Sequence, residues 1–359
     1  LPVPFGPAIW WNEGVDRHVF LCAPGYEDPL RREIGTGAEA LCSGVVLGGG
    51  ADRLLADEDH VFARQVLPAA RSLRAPSVRQ LAAGAFDALL PGLDASGATW
   101  RLEALVPDEP ADPHRPGELR RRADLIAAAF LDIAKERRRR VFRRLAPEGG
   151  GDLLVQLLLA GRERLFASAA APAPLPRGGR WPVPFPGGLA PIPEDPAAPS
   201  SACRKLREAL AWMGRTIREG ERVTDLGAAP GGWTHVSLAA GARVTAMDRA
   251  GPGPAVAGHP RLTWLVGDAF RHEPVDPPVD WLLCDVIAYP EKSLGLLRRW
   301  VESGWCRRLV FHLKFKGRED HGPAFEAREL LRNSRFGFVR AKHLGYDRNE
   351  VTLMAMEEA

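Results

Sequence analysis

Five polar residues, Asp225, Asp248, Asp268, Asp285 and Lys314, each close or directly follow a short apolar run of strand character (222–226, 243–247, 262–266, 281–284 and 308–313). Open α/β sheets bind ligands at the carboxyl ends of their strands. Four carboxylates and one amine delivered to that single edge outline a cleft able to hold a polar ligand and move a proton.

The first run carries the most information. Val223-Thr224-Asp225-Leu226-Gly227-Ala228-Ala229-Pro230-Gly231-Gly232-Trp233 passes from a strand, through a turn of small residues, into a helix start. Gly227, Gly231 and Gly232 allow the backbone to approach a ligand and to reach φ > 0. The dinucleotide fingerprint G-x-G-x-x-G needs a glycine at position 229, where Ala229 stands. A Gly-x-x-x-Gly-Gly loop behind Asp225 suits S-adenosylmethionine instead, because that cofactor has no pyrophosphate to cradle. The candidate cofactor contacts are therefore Asp225, Gly227, Ala229, Pro230, Gly231, Gly232 and Trp233. Asp248, about twenty residues past the first glycine, is placed to take a ribose hydroxyl pair. Asp268 can accept from an adenine amino group, and Asp285 completes the set.

These side chains need a scaffold, and the second half of the chain supplies one. Ser200 and Ser201 are placed to cap a helix whose apolar stripe is Leu206, Leu210 and Met213, with Lys205 in its first turns. Strands alternate with helical patterns from there on, and a further helix is expected over 294–301. The expectation for 200–359 is an α/β domain with a doubly wound, mostly parallel sheet. Residues 171–199, rich in Pro, Gly and Ala, read as a linker or extended strap. Every expected cofactor contact follows it, which predicts that the chain from Pro199 onward binds the cofactor alone.

The first half, 1–170, reads as α+β. Strands are expected at 19–22, 45–47, 60–67 and 99–106, helices at 30–40, 78–90 and 118–145, and a hairpin from 153–159 and 164–170. The opening 1–11 is Pro- and Trp-rich and reads as extended. Two arginine clusters stand here: Arg120 to Arg122, and Arg137 to Arg140 with Lys135, Arg143 and Arg144. Four consecutive arginines cannot share one helix face, so they wrap it, which favours phosphate contacts over packing.

Composition sets the outer bounds. The 359 residues suffice for two domains, and 45% hydrophobic with 26% charged residues indicates a folded globular protein. A net charge of +3 does not by itself argue for nucleic acid. The five cysteines form no C-x-x-C pair and read as reduced thiols of a cytoplasmic protein. Nothing in the sequence calls for a metal, a membrane or an obligate protein partner. Leu1 carries no initiator Met and reads as a processed or trimmed end.

Asp225-Leu226-Gly227-Ala228-Ala229-Pro230-Gly231-Gly232-Trp233, Cys284-Asp285, Leu313-Lys314 and Glu350-Val351-Thr352 resemble the FtsJ-like ribose 2′-O-methyltransferases. The resemblance implies a Rossmann-like class I methyltransferase domain and a catalytic Lys-Asp-Lys-Glu tetrad on Lys205, Asp285, Lys314 and Glu350. Four further segments resemble the branch acting on a cytidine of large-subunit ribosomal RNA: Leu21 to Glu27, Phe62 to Gln65, Gly304 to Arg307, and Tyr346 to Arg348. That branch implies a THUMP-containing, ferredoxin-like RNA-binding region in the first half. One departure is plain: where the family has Ser-Arg-Ser-x-x-Lys, this chain has Ser200-Ser201-Ala202-Cys203-Arg204-Lys205.

For such a transfer the protein must position the 2′-oxygen and remove its proton. A free lysine, with a pKa of about 10.4, is a poor base near neutrality. A second lysine and burial lower that value, while carboxylates raise it and hold the ammonium in place. The tetrad then reads as Lys314 the base, Lys205 its charge neighbour, and Asp285 and Glu350 the orienting groups. Three rivals stand beside this reading. A dehydrogenase is disfavoured by Ala229, and a base N-methyltransferase by Asp285-Val286-Ile287-Ala288 in place of an Asn/Asp-Pro-Pro-aromatic run. The third is an RNA-binding protein that keeps the fold without turnover. Another RNA substrate is a further alternative within the same chemistry.

Overall fold

The structure, a computed structural model, describes residues 17–48, 59–107, 117–147, 149–317 and 320–357. The Pro- and Trp-rich opening expected to be extended lies outside them. The chain divides into two units of packed chain. One takes the chain through Glu58, Phe62–Pro174 and Arg180–Gly188; the other takes Asp59–Val61, Leu175–Gly179 and Leu189–Ala359. The expected strap at 171–199 is thus not a separate piece, since its residues are shared out between the units. Within the first, buried Gln65 holds it by bonding Val183 through both backbone groups (2.9 and 3.1 Å). Within the second, the Val339 N–H bonds Arg177 O at 3.0 Å, and a Cβ on Gly178 would strike the Phe338 ring.

The first unit is built on a seven-stranded sheet in the order β2-β3-β1-β4-β7-β6-β5. Its elements are β1 (Arg17–Leu21), α1 (Glu27–Ile34), β2 (Glu39–Cys42), β3 (Val45–Leu47), β4 (Gln65–Arg74), α2 (Val78–Ser96), β5 (Trp100–Leu105), α3 (Glu118–Arg137), α4 (Arg139–Phe142), β6 (Leu153–Gly161) and β7 (Arg164–Ala170). Strand β4 knits two halves together. Gln65 to Leu67 and Ala70 pair with β1 and the last four residues with β7, and Pro68 with Ala69 at φ 44° interrupts the β1 ladder. Leu81, Phe86, Ile126 and Phe130 of α2 and α3 fill the core with Trp100, Val155 and Leu165.

Three expectations shift in this unit. The helix expected to reach residue 40 stops at Ile34, where Gly35 takes φ 89°, and 39–42 is a strand. The strand expected at 60–67 begins only at Gln65. The helix expected over 118–145 breaks at Arg138 (φ −144°, ψ 67°), because the chain must return beside β5, where Ala146 N–H bonds Trp100 O at 2.8 Å. The arginines therefore divide by task. Arg120, Arg122 and Arg144 cap carbonyls at 2.7–2.8 Å, and Arg137 pairs with Asp87. Arg138, Arg139, Arg140 and Arg143 are exposed.

Two short strands, β8 (Ala173–Pro174) and β9 (Arg180–Trp181), pair with each other. The second unit follows with α5 (Cys203–Met213), β10 (Arg222–Leu226), α6 (Gly232–Ala239), β11 (Arg243–Asp248), β12 (Leu262–Val266), β13 (Val279–Cys284), α7 (Pro290–Glu302), β14 (Cys306–Lys314), α8 (Gly322–Arg332), β15 (Phe338–Lys342) and β16 (Glu350–Met356). Its sheet runs β12-β11-β10-β13-β14-β16-β15, parallel through β14, with β16 antiparallel between β14 and β15. This is the expected doubly wound, mostly parallel sheet. Trp281, Leu282, Leu283 and Cys284 are all fully buried, as a central strand covered on both faces requires.

A three-residue piece of the amino-terminal half belongs to this second unit. Asp59 accepts from Arg340 Nε and one terminal nitrogen at 2.8 and 2.7 Å, and from Lys342 Nζ at 2.5 Å. All three side chains are at most 6% exposed. The Val61 carbonyl takes the His343 N–H at 2.9 Å. All five cysteines are free thiols. Among the described residues no helix is long and apolar enough to cross a membrane.

Candidate active site

Strand order decides which side chains meet. Across β12, β11, β10, β13, β14 and β16, the ligand-binding edge carries Asp268, Asp248, Gly227, Asp285, Lys314 and Glu350 in turn. Lys314 and Glu350 are register partners of the antiparallel β14–β16 pair. Asp285 hangs one residue beyond β13, its N–H bonded to Leu226 O at 2.9 Å. Lys205 enters from the first turn of α5, which no side chain caps; the expected serine cap is absent because the helix begins two residues past Ser201.

The four residues form two adjoining ion pairs. Lys314 Nζ lies 2.8 Å from Asp285 Oδ1 and 3.0 Å from the Asp285 carbonyl oxygen. Lys205 Nζ donates to Glu350 Oε1. Their side chains are 6–19% exposed, buried enough to hold a fixed geometry and open enough to be reached.

A fifth member escaped the sequence reading. His312 is fully buried, and its Nδ1 lies 2.9 Å from Asp285 Oδ1, the same oxygen that Lys314 holds. A carboxylate oxygen can only accept, so Nδ1–H donates. Its Nε2 faces Asp347 Oδ1 at 3.8 Å, and Trp233 packs edge-on against the ring at 4.7 Å. The available signal was strand alternation, which puts residues 312 and 314 on one face of β14. Burial works to depress the imidazole pKa, but the Asp285, Asp347 and Glu350 carboxylates outweigh it and hold the value above the ordinary one. Burial would likewise raise Asp285, yet His312 and Lys314 hold its carboxyl well below the usual range. Buried Asp347 is pushed up, although it accepts from Thr352 Oγ1 at 2.8 Å and from the Leu344 N–H at 2.9 Å.

Beside this cluster lies a cleft of about 470 Å³. Of the expected cofactor contacts, Gly227, Ala229, Asp248, Asp268 and Asp285 line it. Asp248 braces the loop, accepting from the N–H groups of Ala229 (3.1 Å) and Ala250 (2.9 Å). Asp268 accepts from the Phe270 N–H at 3.1 Å. Gly227, at φ 79°, touches the neighbouring strand end so closely that a Cβ would come within 2.8 Å of Val286 N.

Pro230, Gly231, Gly232 and Trp233 do not line the cleft; they shape the turn behind it. Gly231 has φ 113°, and Trp233 is buried with its Nε1 bonded to Ala202 O at 2.9 Å. Asp225 lies inside β10, as expected, but does not line the cleft: it is fully buried and accepts from Thr234 Oγ1 at 2.6 Å, so it ties the strand to α6 under the loop. Burial pushes its pKa up to about 7, helped by the nearby Asp285 and Asp248 carboxylates and opposed by the Thr234 hydrogen bond.

The cleft carries both signs of charge: Asp248 and Asp268 stand at its β11–β12 end with Arg249 4.0 Å from Asp268, and Lys314 and Lys316 follow β14 beside Asp285. Asp248 and Asp268 can accept from the ribose hydroxyls and the adenine amino group, and Ala229 in place of a glycine departs from the dinucleotide fingerprint, so the donor set fits S-adenosylmethionine. Asp285, His312 and Glu350 also bring ligand atoms within 4.8 Å of one another. Both carboxylates are already bonded by ammonium groups, and a divalent cation would have to displace them.

The profile of the FtsJ-like methyltransferase family matches residues 199–295. Over 225 residues the chain is 35% identical to the ribosomal RNA large subunit methyltransferase M of Alkalilimnicola ehrlichii, covering 60% of each protein. It is 37% identical over 176 residues to the protein of that name from Xylella fastidiosa strain 9a5c, covering 46% of this chain and 49% of that one. A third, from Thauera aminoaromatica, is 35% identical over 182 residues, covering 48% and 49%. The chain spans between about half and 60% of the length of these relatives. The stretch that matches the FtsJ-like methyltransferase profile lies in the second unit.

Proposed function

We propose that this chain is an S-adenosylmethionine-dependent ribose 2′-O-methyltransferase acting on large-subunit ribosomal RNA, at a cytidine, in the cytoplasm. The observation that carries the proposal is the assembly of Lys205, Asp285, Lys314 and Glu350 as two ion pairs on the lip of a cleft floored by Asp248 and Asp268. When bound, S-adenosylmethionine supplies a methyl group activated by its sulfonium. Gly227, Ala229, Asp248 and Asp268 hold it. Lys314 gives up its proton before the encounter, then accepts the proton of the ribose 2′-hydroxyl as that oxygen becomes nucleophilic. Asp285 fixes the amine in place through Oδ1 and its carbonyl oxygen, and Glu350 holds the Lys205 ammonium on the adjoining strand end. Lys314 and Lys205 at a site that must accept proton and polyanion favour this reading over a binding protein without turnover.

Cofactor-transfer assays on protein-free large-subunit ribosomal RNA test the activity, with mapping of 2′-O-methyl positions in the product. Methyl incorporation confined to base nitrogens would overturn the reading. For the cofactor, Asp248→Ala is expected to weaken binding of S-adenosylmethionine in calorimetry by about tenfold or more, since it removes two loop braces and a charge-assisted contact. Binding of NAD instead would exclude the assignment.

The first unit enters the same proposal as the source of RNA affinity, with a THUMP-type role. Neutralising Arg138, Arg139, Arg140 and Arg143 together should weaken RNA binding. It should also reduce the slope of log affinity against log salt by up to roughly 3, if each side chain contacts a phosphate. An unchanged slope would show that these arginines are only a solvated surface.

A further inference from the structure

Two large apolar side chains stand in water at the β13–β14 end of the cleft. The loop after β13 alternates, with Val286 and Ala288 turned inward, Ile287 78% exposed and Tyr289 52% exposed. Both outward residues line the cleft that holds Asp285 and Lys314. Single exposed apolar residues are ordinary, but an i, i+2 pair on the rim of a reaction cleft is a surface that an incoming ligand can cover. Cations surround it. Lys316 Nζ stands 4.4 Å from the centre of the Tyr289 ring, and Lys292 Nζ stands 4.0 Å from that of Phe270 on the same wall.

A flat apolar ring among lysines matches the chemistry of an unpaired nucleotide, whose base stacks on aromatic groups while its phosphate seeks positive charge. It matches the cofactor less well, because the carboxylates suited to the cofactor lie toward β11 and β12. Resting on the ribose-methyltransferase reading above, we propose that Ile287 and Tyr289 form a stacking platform for the base at or next to the methylated ribose. The substrate nucleotide is then one that is single-stranded or drawn out of its helix, since a paired base offers no free face to Tyr289. Lys316 and Lys292 hold the adjoining phosphates.

The test uses the full chain and protein-free large-subunit ribosomal RNA. Tyr289→Ala should raise KM for RNA between about fivefold and a hundredfold, the range for losing one stacked base. Affinity for S-adenosylmethionine should be unchanged, which also shows that the variant is folded. The salt dependence of RNA binding should also stay as in the parent, because a ring carries no charge. Tyr289→Phe, which keeps the π face, should stay within about twofold of the parent. An unchanged KM in Tyr289→Ala, with the parent turning over, overturns the platform and leaves the activity standing. Loss of concentration-dependent self-association in that variant, with KM unaffected, would make the patch a contact between copies and overturn it equally. A parent that transfers no methyl group to RNA overturns the activity, and the platform with it.

Discussion

Lys314→Ala should reduce methyl transfer to background, a loss of at least about a thousandfold if this amine takes the 2′-hydroxyl proton and orients its oxygen. Cofactor affinity should hardly move, because the ammonium contacts Asp285 and not the Asp248–Asp268 end of the cleft. Lys314→Arg should fail as completely: a guanidinium pairs with Asp285 but stays charged near neutral pH and accepts no proton. Single-turnover assays at saturating cofactor, with calorimetry on each variant, make the measurement. Near-parent turnover by Lys314→Arg would mean that position 314 contributes charge alone, and the base would have to be another group.

Asp59→Ala should destabilise the protein by about 3–5 kcal/mol, although residue 59 belongs to the amino-terminal half of the sequence. Removing it leaves Arg340 and Lys342 as two cations, each no more than 2% exposed, without their carboxylate. Burial would raise the Asp59 pKa, but Arg340 and then Lys342 overcome it and hold the group well below the usual carboxylate range. The sign follows. A depressed carboxylate contributes stability that is fully present above the unfolded value of about 3.9 and is lost as pH falls toward the folded one. Denaturant melts should therefore show parent and Asp59→Ala far apart at pH 7 and converging below about pH 4. Equal midpoints at pH 7 would show that the triad contributes nothing net. The same geometry revises the expectation for a fragment beginning at Pro199. It lacks Asp59 and the Leu175–Gly179 segment, so it should be poorly folded rather than an independent cofactor-binding piece.

What could be read from the sequence was what repeats locally. The parallel strands of this sheet are short, largely apolar runs, so β10 to β14 and the polar residues at their tips stood out. A glycine-rich turn between strand and helix costs backbone entropy on folding, so it marks a place where a ligand or a neighbouring strand must come close. That Asp225 turns under the loop to meet Thr234 was not legible, because strand periodicity does not say which partner a buried side chain finds. His312 was hidden for a related reason: on a fully buried strand one histidine looks like any interior residue until its partners are known. Those partners, Asp285 and Asp347, lie 27 and 35 positions away in the sequence. Arg138 marks the same limit in the first unit. Helix periodicity runs straight through it, and only the need to meet Trp100 N and O turns the chain there.

The lodging of Asp59 among the last strands of the second unit also constrains inheritance. A single genetic crossover in the Pro-rich stretch would join one parent's residue 59 to another parent's residues 340 and 342. Where the parents solved that buried charge balance differently, the hybrid would carry two unmatched cations or an unmatched anion in an apolar interior. Positions 59, 340 and 342 are therefore expected to vary as a set across related chains, with an apolar residue at 59 accompanied by loss of charge at both others. Recombination between diverged copies should succeed only when it carries both ends of the chain together.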